Sequence, residues 1–134
     1  NKPKRPLVIL LGGLKVADKI GVIKKAVEIA DYVLIGGGMS YTFFKSFGYN
    51  VGESVVDNDS IDFCKKIYDE NKDKIKLPTD MIVGKSVSEE TDSRLTTPDN
   101  IMSDEMGLDI GTKTINDYKK ILMNAKTIIW NGPV

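Results

Sequence analysis

The sequence predicts a doubly wound, Rossmann-like α/β domain: a parallel sheet with helices on both faces. Short apolar runs alternate with stretches whose apolar residues recur every three or four positions, in the order β-α-β-α-α-β-α-β. The first run, Leu7 to Leu11, is apolar throughout, which suits a strand buried on both faces. Three runs close on glycine, at Gly12-Gly13, at Gly36-Gly37-Gly38 and at Gly132. In a parallel sheet those ends share one edge, outside which ligands of open α/β sheets bind.

Each element has its own signal. Asn1 to Pro6 is polar and proline-bearing, and reads as a linker entering a domain. From Lys15 to Ala30, Val16, Ile20, Ile23, Val27 and Ala30 form one helix face. Gly21 inside it costs about 1 kcal/mol against alanine, so packing must carry the helix. Tyr32 to Ile35 is a second strand. A helix from Ser40 to Phe47 follows, with Gly48 as its stop, and Tyr49 to Val56 is a loop or short extended piece. Asp59 or Ser60 can cap the next helix, which places Ile61, Cys64 and Ile67 on one face. Lys76-Leu77-Pro78 breaks that pattern, and Met81 to Gly84 is the third strand. Ser86 to Asp109 is an aperiodic excursion with a small hairpin or edge strand near Arg94 to Thr97. Thr114 opens the last helix, with Asp117 three residues on in a variant of the capping box. Its apolar face is Ile115, Tyr118, Ile121, Leu122 and Ala125. Thr127 to Trp130 is the fourth strand.

Composition narrows the function. The 134 residues suffice for one domain, and 19 basic against 19 acidic residues argue against a dedicated nucleic-acid binder. No apolar run reaches membrane-spanning length. One cysteine and no signal-like start fit a reducing, cytosolic setting. The chain has no histidine, so chemistry must rest on lysines, carboxylates, backbone groups or a metal.

The stretch from Gly12 to Lys19 concentrates that chemistry. On a helix Lys15 and Lys19 share a face, in first turns where the macrodipole disfavours cations. An anion held by the turn and by free backbone N–H groups would explain both lysines. Alternatively they are a solvated helix face. Asp18 either favours the helix dipole or helps hold Mg²⁺ at phosphates. Three glycines at positions 36 to 38 exceed what a turn needs and point to close approach of a ligand. Neither glycine cluster is a dinucleotide fingerprint or a P-loop. Cys64 and Trp130 read as core residues, although Trp130 could also stand at a ligand edge. Asp104, Glu105, Asp109, Glu89, Glu90 and Asp92 read as solvated charges.

Five stretches, in order along the chain, resemble phosphoglycerate kinase. They are Leu11-Gly12-Gly13-Leu14-Lys15-Val16-Ala17-Asp18-Lys19-Ile20, then Ile35-Gly36-Gly37-Gly38-Met39 with Thr42-Phe43, then Leu77-Pro78-Thr79-Asp80. Met106-Gly107-Leu108-Asp109-Ile110-Gly111 and Trp130-Asn131-Gly132-Pro133-Val134 complete the set. The resemblance implies that residues 1–134 are part of the carboxyl-terminal, nucleotide-binding domain of a two-domain kinase. By that resemblance the amino-terminal domain that binds the phosphoglycerate would lie outside these residues. The implied reaction moves a phosphoryl group reversibly between 1,3-bisphosphoglycerate and ADP, giving 3-phosphoglycerate and ATP, with Mg²⁺, in a cytoplasmic monomer.

By the same resemblance Lys15 would stabilise the transferring phosphoryl and Lys19 would hold nucleotide phosphates. Gly12, Gly13 and Leu14 would line the phosphate and ribose region, with Asp18 near the metal. Gly37, Gly38, Val55, Gly107 and Leu108 would form the adenine slot, and Asn131, Gly132, Pro133 and Val134 would close it. Two positions depart from the family: Leu14 where alanine is usual, which would crowd the turn, and Val55 where leucine is usual, which would loosen the slot. The alternative is a non-catalytic nucleotide-binding module. A dinucleotide-dependent oxidoreductase is disfavoured, since Gly36 to Gly38 stand where an acidic residue would end the second strand.

Overall fold

The structure, a computed structural model, describes residues 2–85 and 93–132. Four parallel strands form the main sheet in the order β3-β2-β1-β7, where β1 is Leu7–Leu11, β2 Tyr32–Ile35, β3 Ile75–Lys76 and β7 Thr127–Asn131. All five residues of β1 are buried, as their unbroken apolar character requires of an inner strand.

The sheet is covered on both faces. Leu7, Ile9, Leu11, Val33 and Ile35 point to one side and pack on α1 (Ile20–Ile29), α2 (Met39–Ser46) and α3 (Ile61–Glu70) through Ile23, Phe43 and Cys64. Val8, Leu10 and Leu34 point to the other, where α4 (Thr112–Met123) covers them with Tyr118. The two-residue period of the strands thus splits one apolar run between two cores. Cys64 is fully buried, as expected, and burial pushes its thiol up to about 12.

A second, antiparallel sheet is made of β4 (Met81–Gly84) between β5 (Arg94–Thr96) and β6 (Met106–Ile110). It packs on α2 through Met81 and Val83 against Tyr41 and Phe44. Here expectation and structure part. Met81–Gly84 is not a strand of the parallel sheet; the two-residue β3 takes that place beside β2. Pro78 cannot continue a ladder, and the chain turns out of the sheet there. The strand β6 falls mostly within the expected aperiodic excursion Ser86 to Asp109; Gly107 and Asp109 weaken its strand character, yet Val83 and Gly84 pair with Gly107 and Met106. The expected edge strand near Arg94 is β5.

The first helix also differs. Val16–Lys19 is a 3-10 turn, and α1 begins only at Ile20. Lys15 is extended, at φ −100° and ψ 118°, so Lys15 and Lys19 do not share an α-helical face. Trp130 is 65% exposed rather than core, and its indole donates to the Gly132 carbonyl. Glu105 is buried, not solvated, and is paired with Arg94. Neither Asp59 nor Ser60 caps α3, and Asp117 pairs with Lys113 instead of closing a capping box. Residues Glu89, Glu90, Asp92, Pro133 and Val134 lie outside the described residues.

Candidate functional site

The carboxyl ends of β1, β2 and β7 lie on one edge. Leu11 is level with Ile35 on one side and with Asn131 on the other. The glycine turns that follow are stitched together by the backbone. Gly12 N–H donates to the Asn131 carbonyl (2.9 Å), Gly36 N–H to the Leu11 carbonyl (2.9 Å), and Met39 N–H to the Gly13 carbonyl (2.9 Å). Gly13 makes the turn at φ +118°, a conformation that side chains with a Cβ rarely adopt.

Two groups of residues form around this edge. Leu14, Gly37, Gly38, Val55, Gly107 and Leu108 line one cavity of about 220 Å³, together with Tyr41, Ser54 and Met81. The antiparallel sheet supplies its far wall and the loop after α2 its rim. The Leu14 side chain lies over Gly38, so it closes the cavity on the side of the first turn. Val55 is half exposed at the mouth. The second group lies beside the first turn. Lys19 Nζ donates to the Asn131 side chain at 2.5 Å, and Gly132 fits so closely that a Cβ there would stand 2.7 Å from the Gly12 carbonyl oxygen. Asn131 and Gly132 therefore belong with Lys19 and Gly12, not with the cavity wall. Lys15 and Asp18 are exposed in front of them.

A wider hollow of about 430 Å³ lies between Phe47, Tyr68, Pro78 and Tyr118. It contains neither a glycine turn nor Lys15 or Lys19, so the smaller cavity is the better candidate.

Asp57 and Ser54 help build the site without a sequence signal of their own, and Asp80 stood out only as part of the Leu77-Pro78-Thr79-Asp80 stretch. Asp57 accepts the Ala17 N–H at 2.8 Å and the Ser60 hydroxyl at 3.0 Å, while its own N–H donates to Thr42 in α2. The Ala17 bond is the main cause of its lowered carboxyl pKa, and the Lys15 charge contributes. Asp57 thus ties the turn carrying Lys15 to α2 and occupies one backbone donor that a free helix start would have offered. Ser54 accepts the Gly107 N–H at 3.0 Å and joins the rim to β6. Asp80 of the Leu-Pro-Thr-Asp stretch caps α4 across the fold, accepting the N–H groups of Lys113 (3.0 Å) and Thr114 (2.8 Å). Only the local pairing of acidic residues with Ser or Thr hinted at such caps.

No group of three or more His, Cys, Asp or Glu able to hold a metal occurs among the described residues. A lone carboxylate such as Asp18 suits Mg²⁺ where phosphate oxygens complete its shell. Among the described residues no helix is long and apolar enough to cross a membrane.

Comparison with known proteins decides the lineage. The chain matches the sequence profile described as "Phosphoglycerate kinase" over residues 1–134. It belongs to the phosphoglycerate kinase family. It is 47% identical over its whole length to the "Phosphoglycerate kinase" of Staphylococcus carnosus (strain TM300) and 48% identical to that of Enterococcus faecalis (strain ATCC 700802 / V583). It spans about one third (34%) of the length of each. Among solved structures, phosphoglycerate kinase from Coxiella burnetii superposes with a TM-score of 0.94 at 33% identity, covering 100% of this chain and 36% of that one. Phosphoglycerate kinase from Pyrococcus horikoshii OT3 superposes at 0.81 with 28% identity, over 97% of this chain and 34% of the other.

Proposed function

We propose that this chain supplies the nucleotide side of a phosphoglycerate kinase: part of the carboxyl-terminal domain, acting with an amino-terminal domain that holds the phosphoglycerate. The reaction is reversible phosphoryl transfer between the acyl phosphate of 1,3-bisphosphoglycerate and ADP. The observation that carries this reading is the juxtaposition, on one sheet edge, of an apolar, glycine-walled cavity and a glycine turn flanked by Lys15 and Lys19. The cavity suits one flat ring system, being smaller than the roughly 300 Å³ at which pockets for whole drug-sized ligands begin. Its lining of Gly37, Gly38, Val55, Gly107 and Leu108 supports the reading of it as an adenine slot. From there the phosphates would run past Leu14 to the turn at Gly12 and Gly13.

The chemistry demands little of the protein beyond alignment and charge neutralisation. Lys15, exposed at the front of the turn, stabilises the transferring phosphoryl. Lys19, anchored on Asn131, holds nucleotide phosphates near Gly132. Asp18 would help hold Mg²⁺, which would neutralise further phosphate charge when bound. Asp57 fixes the turn so that these donors do not have to reorganise. The enzyme would act as a cytoplasmic monomer on ADP or ATP.

The test is a substitution at the cavity mouth of the full-length protein. Val55→Trp should raise the KM for ADP and leave the KM for 3-phosphoglycerate unchanged. An unchanged KM for ADP would remove the cavity from the nucleotide site.

A further inference from the structure

Tyr41, in α2, is 6% exposed and stands edge-on to Phe44 with ring centroids 5.8 Å apart. Its hydroxyl reaches the backbone of Gly107, where an added Cβ would come within 1.9 Å of that oxygen. Both residues line the cavity. The Gly107 N–H is already donated to Ser54, and no hydrogen bond engages the Tyr41 hydroxyl among the described residues. No fully buried side-chain polar atom among them lacks a partner, so this oxygen opens on the cavity. The other buried tyrosine, Tyr118, has its hydroxyl held by the carbonyls of Ile35 (2.6 Å) and Lys76 (2.9 Å).

Of the other polar side chains of the wall, Ser54 accepts the Gly107 N–H and Asp109 is exposed. Ser40 donates to the Gly37 carbonyl at 2.7 Å, and Asp109 accepts the Ile110 N–H at 2.8 Å. Around them the wall is apolar, with Leu14, Pro78, Met81 and Leu108. Burial, with a contribution from Asp109, pushes the Tyr41 phenol up to about 12, so it keeps its proton and is available as a donor. Open to the cavity, the hydroxyl can exchange water for an acceptor that a ligand supplies, a net gain of one hydrogen bond in a largely apolar wall.

We propose that the Tyr41 hydroxyl reads the base, donating a hydrogen bond to a ring nitrogen of the purine held in the cavity. This rests on the nucleotide reading above. Shape and apolar contact then hold any flat ring, and Tyr41 adds a directional contact that orients it.

Calorimetric titration of the full-length protein and its Tyr41→Phe variant, with ADP and its 1-deaza, 3-deaza and 7-deaza analogues, tests this. The variant should bind ADP about fivefold to tenfold more weakly, the range of one lost hydrogen bond. One of the analogues should lose the same factor on the unaltered protein, and only that analogue should bind both proteins equally. A merely structural role would weaken all four ligands alike on substitution, and that result overturns the proposal. So does an unaltered protein that binds every deaza analogue as tightly as ADP. If the unaltered protein binds no ADP, the nucleotide reading itself falls.

Discussion

Lys15 owes its place to three neighbours. Gly13 turns the chain, Leu14 folds over Gly38, and Asp57 holds the Ala17 N–H behind it. Its ammonium is left exposed where charge would develop during transfer, so Lys15→Ala in the full-length protein should lower kcat and spare nucleotide binding. A lost contact of this kind costs about 2.7–4 kcal/mol of barrier, on the order of 100- to 1,000-fold in rate. Steady-state kinetics check it, and an unchanged kcat with a raised KM for ADP would refute the role. Glu105 carries a pH dependence. The Arg94 guanidinium binds both its oxygens at 2.8 Å, the Met102 N–H adds a third bond, and its carboxyl falls from 4.5 to about 2. Between those values the unfolded chain binds the proton and the folded chain does not, so stability rises with pH. The contribution of Glu105 is complete above about pH 4.5 and is lost as pH falls toward 2. Urea unfolding from pH 2.5 to 7 should show this slope, and Glu105→Gln should flatten it.

At the scale of the element, α4 depends on a residue distant in sequence. Its N-cap position is Gly111, which has no side chain to offer, and the carboxylate of Asp80 fills that role. Burial raises the Asp80 carboxyl, but the Thr114 hydroxyl and the N–H groups of Thr114 and Lys113 outweigh it and hold it low. Gly111 is required because a Cβ there would stand 2.2 Å from the Asp80 carboxyl carbon. Asp80→Ala should therefore cost at least about 2 kcal/mol, from the lost cap and the stranded donors. Thr114→Val should cost less, about 1 kcal/mol. Urea midpoints at constant m-value measure both, and equal effects would contradict the cap. The strands β1 and β2 were legible because an unbroken apolar run has one good use in an α/β fold. The strands β3 and β6 were not. The first is two residues long, and the second contains a glycine and an aspartate whose pairing only β4 explains.

On the scale of the molecule, β7 is unlike its neighbours. It pairs with β1 on one side and with no strand on the other among the described residues. Ile128, Ile129 and Trp130 are 52%, 43% and 65% exposed. An apolar strand with a bare edge is an association site. The isolated 134-residue chain should self-associate in sedimentation experiments, and Ile129→Lys should reduce this. The isolated chain should also lack phosphoryl-transfer activity, because the acyl-phosphate substrate would have no domain to hold it. Alignment contributes roughly 7–11 kcal/mol to such reactions, more than two lysines replace. Turnover by the purified chain close to that of the full-length protein would overturn the division of labour proposed above.

Much of this protein was decided locally. The apolar runs set β1, β2 and β7, the three- and four-residue spacing set most of the helices, and the glycines ending three strands marked the edge where the candidate site lies. Gly12 to Lys19 and Gly36 to Gly38 declared themselves because turn geometry and close approach are properties of a few consecutive residues. What brings Val55, Gly107 and Leu108 to face Gly37 and Gly38 is different. It is the docking of the antiparallel sheet on α2, through contacts between residues as distant as Tyr41 and Val83. The same holds for Asp57 at the lysine turn, Asp80 at α4 and Arg94 on Glu105. A carboxylate reads as solvated until the fold supplies its donors, and those donors lie on other segments of the chain. Only tertiary packing could decide which acidic residues are solvated and which hold the structure together.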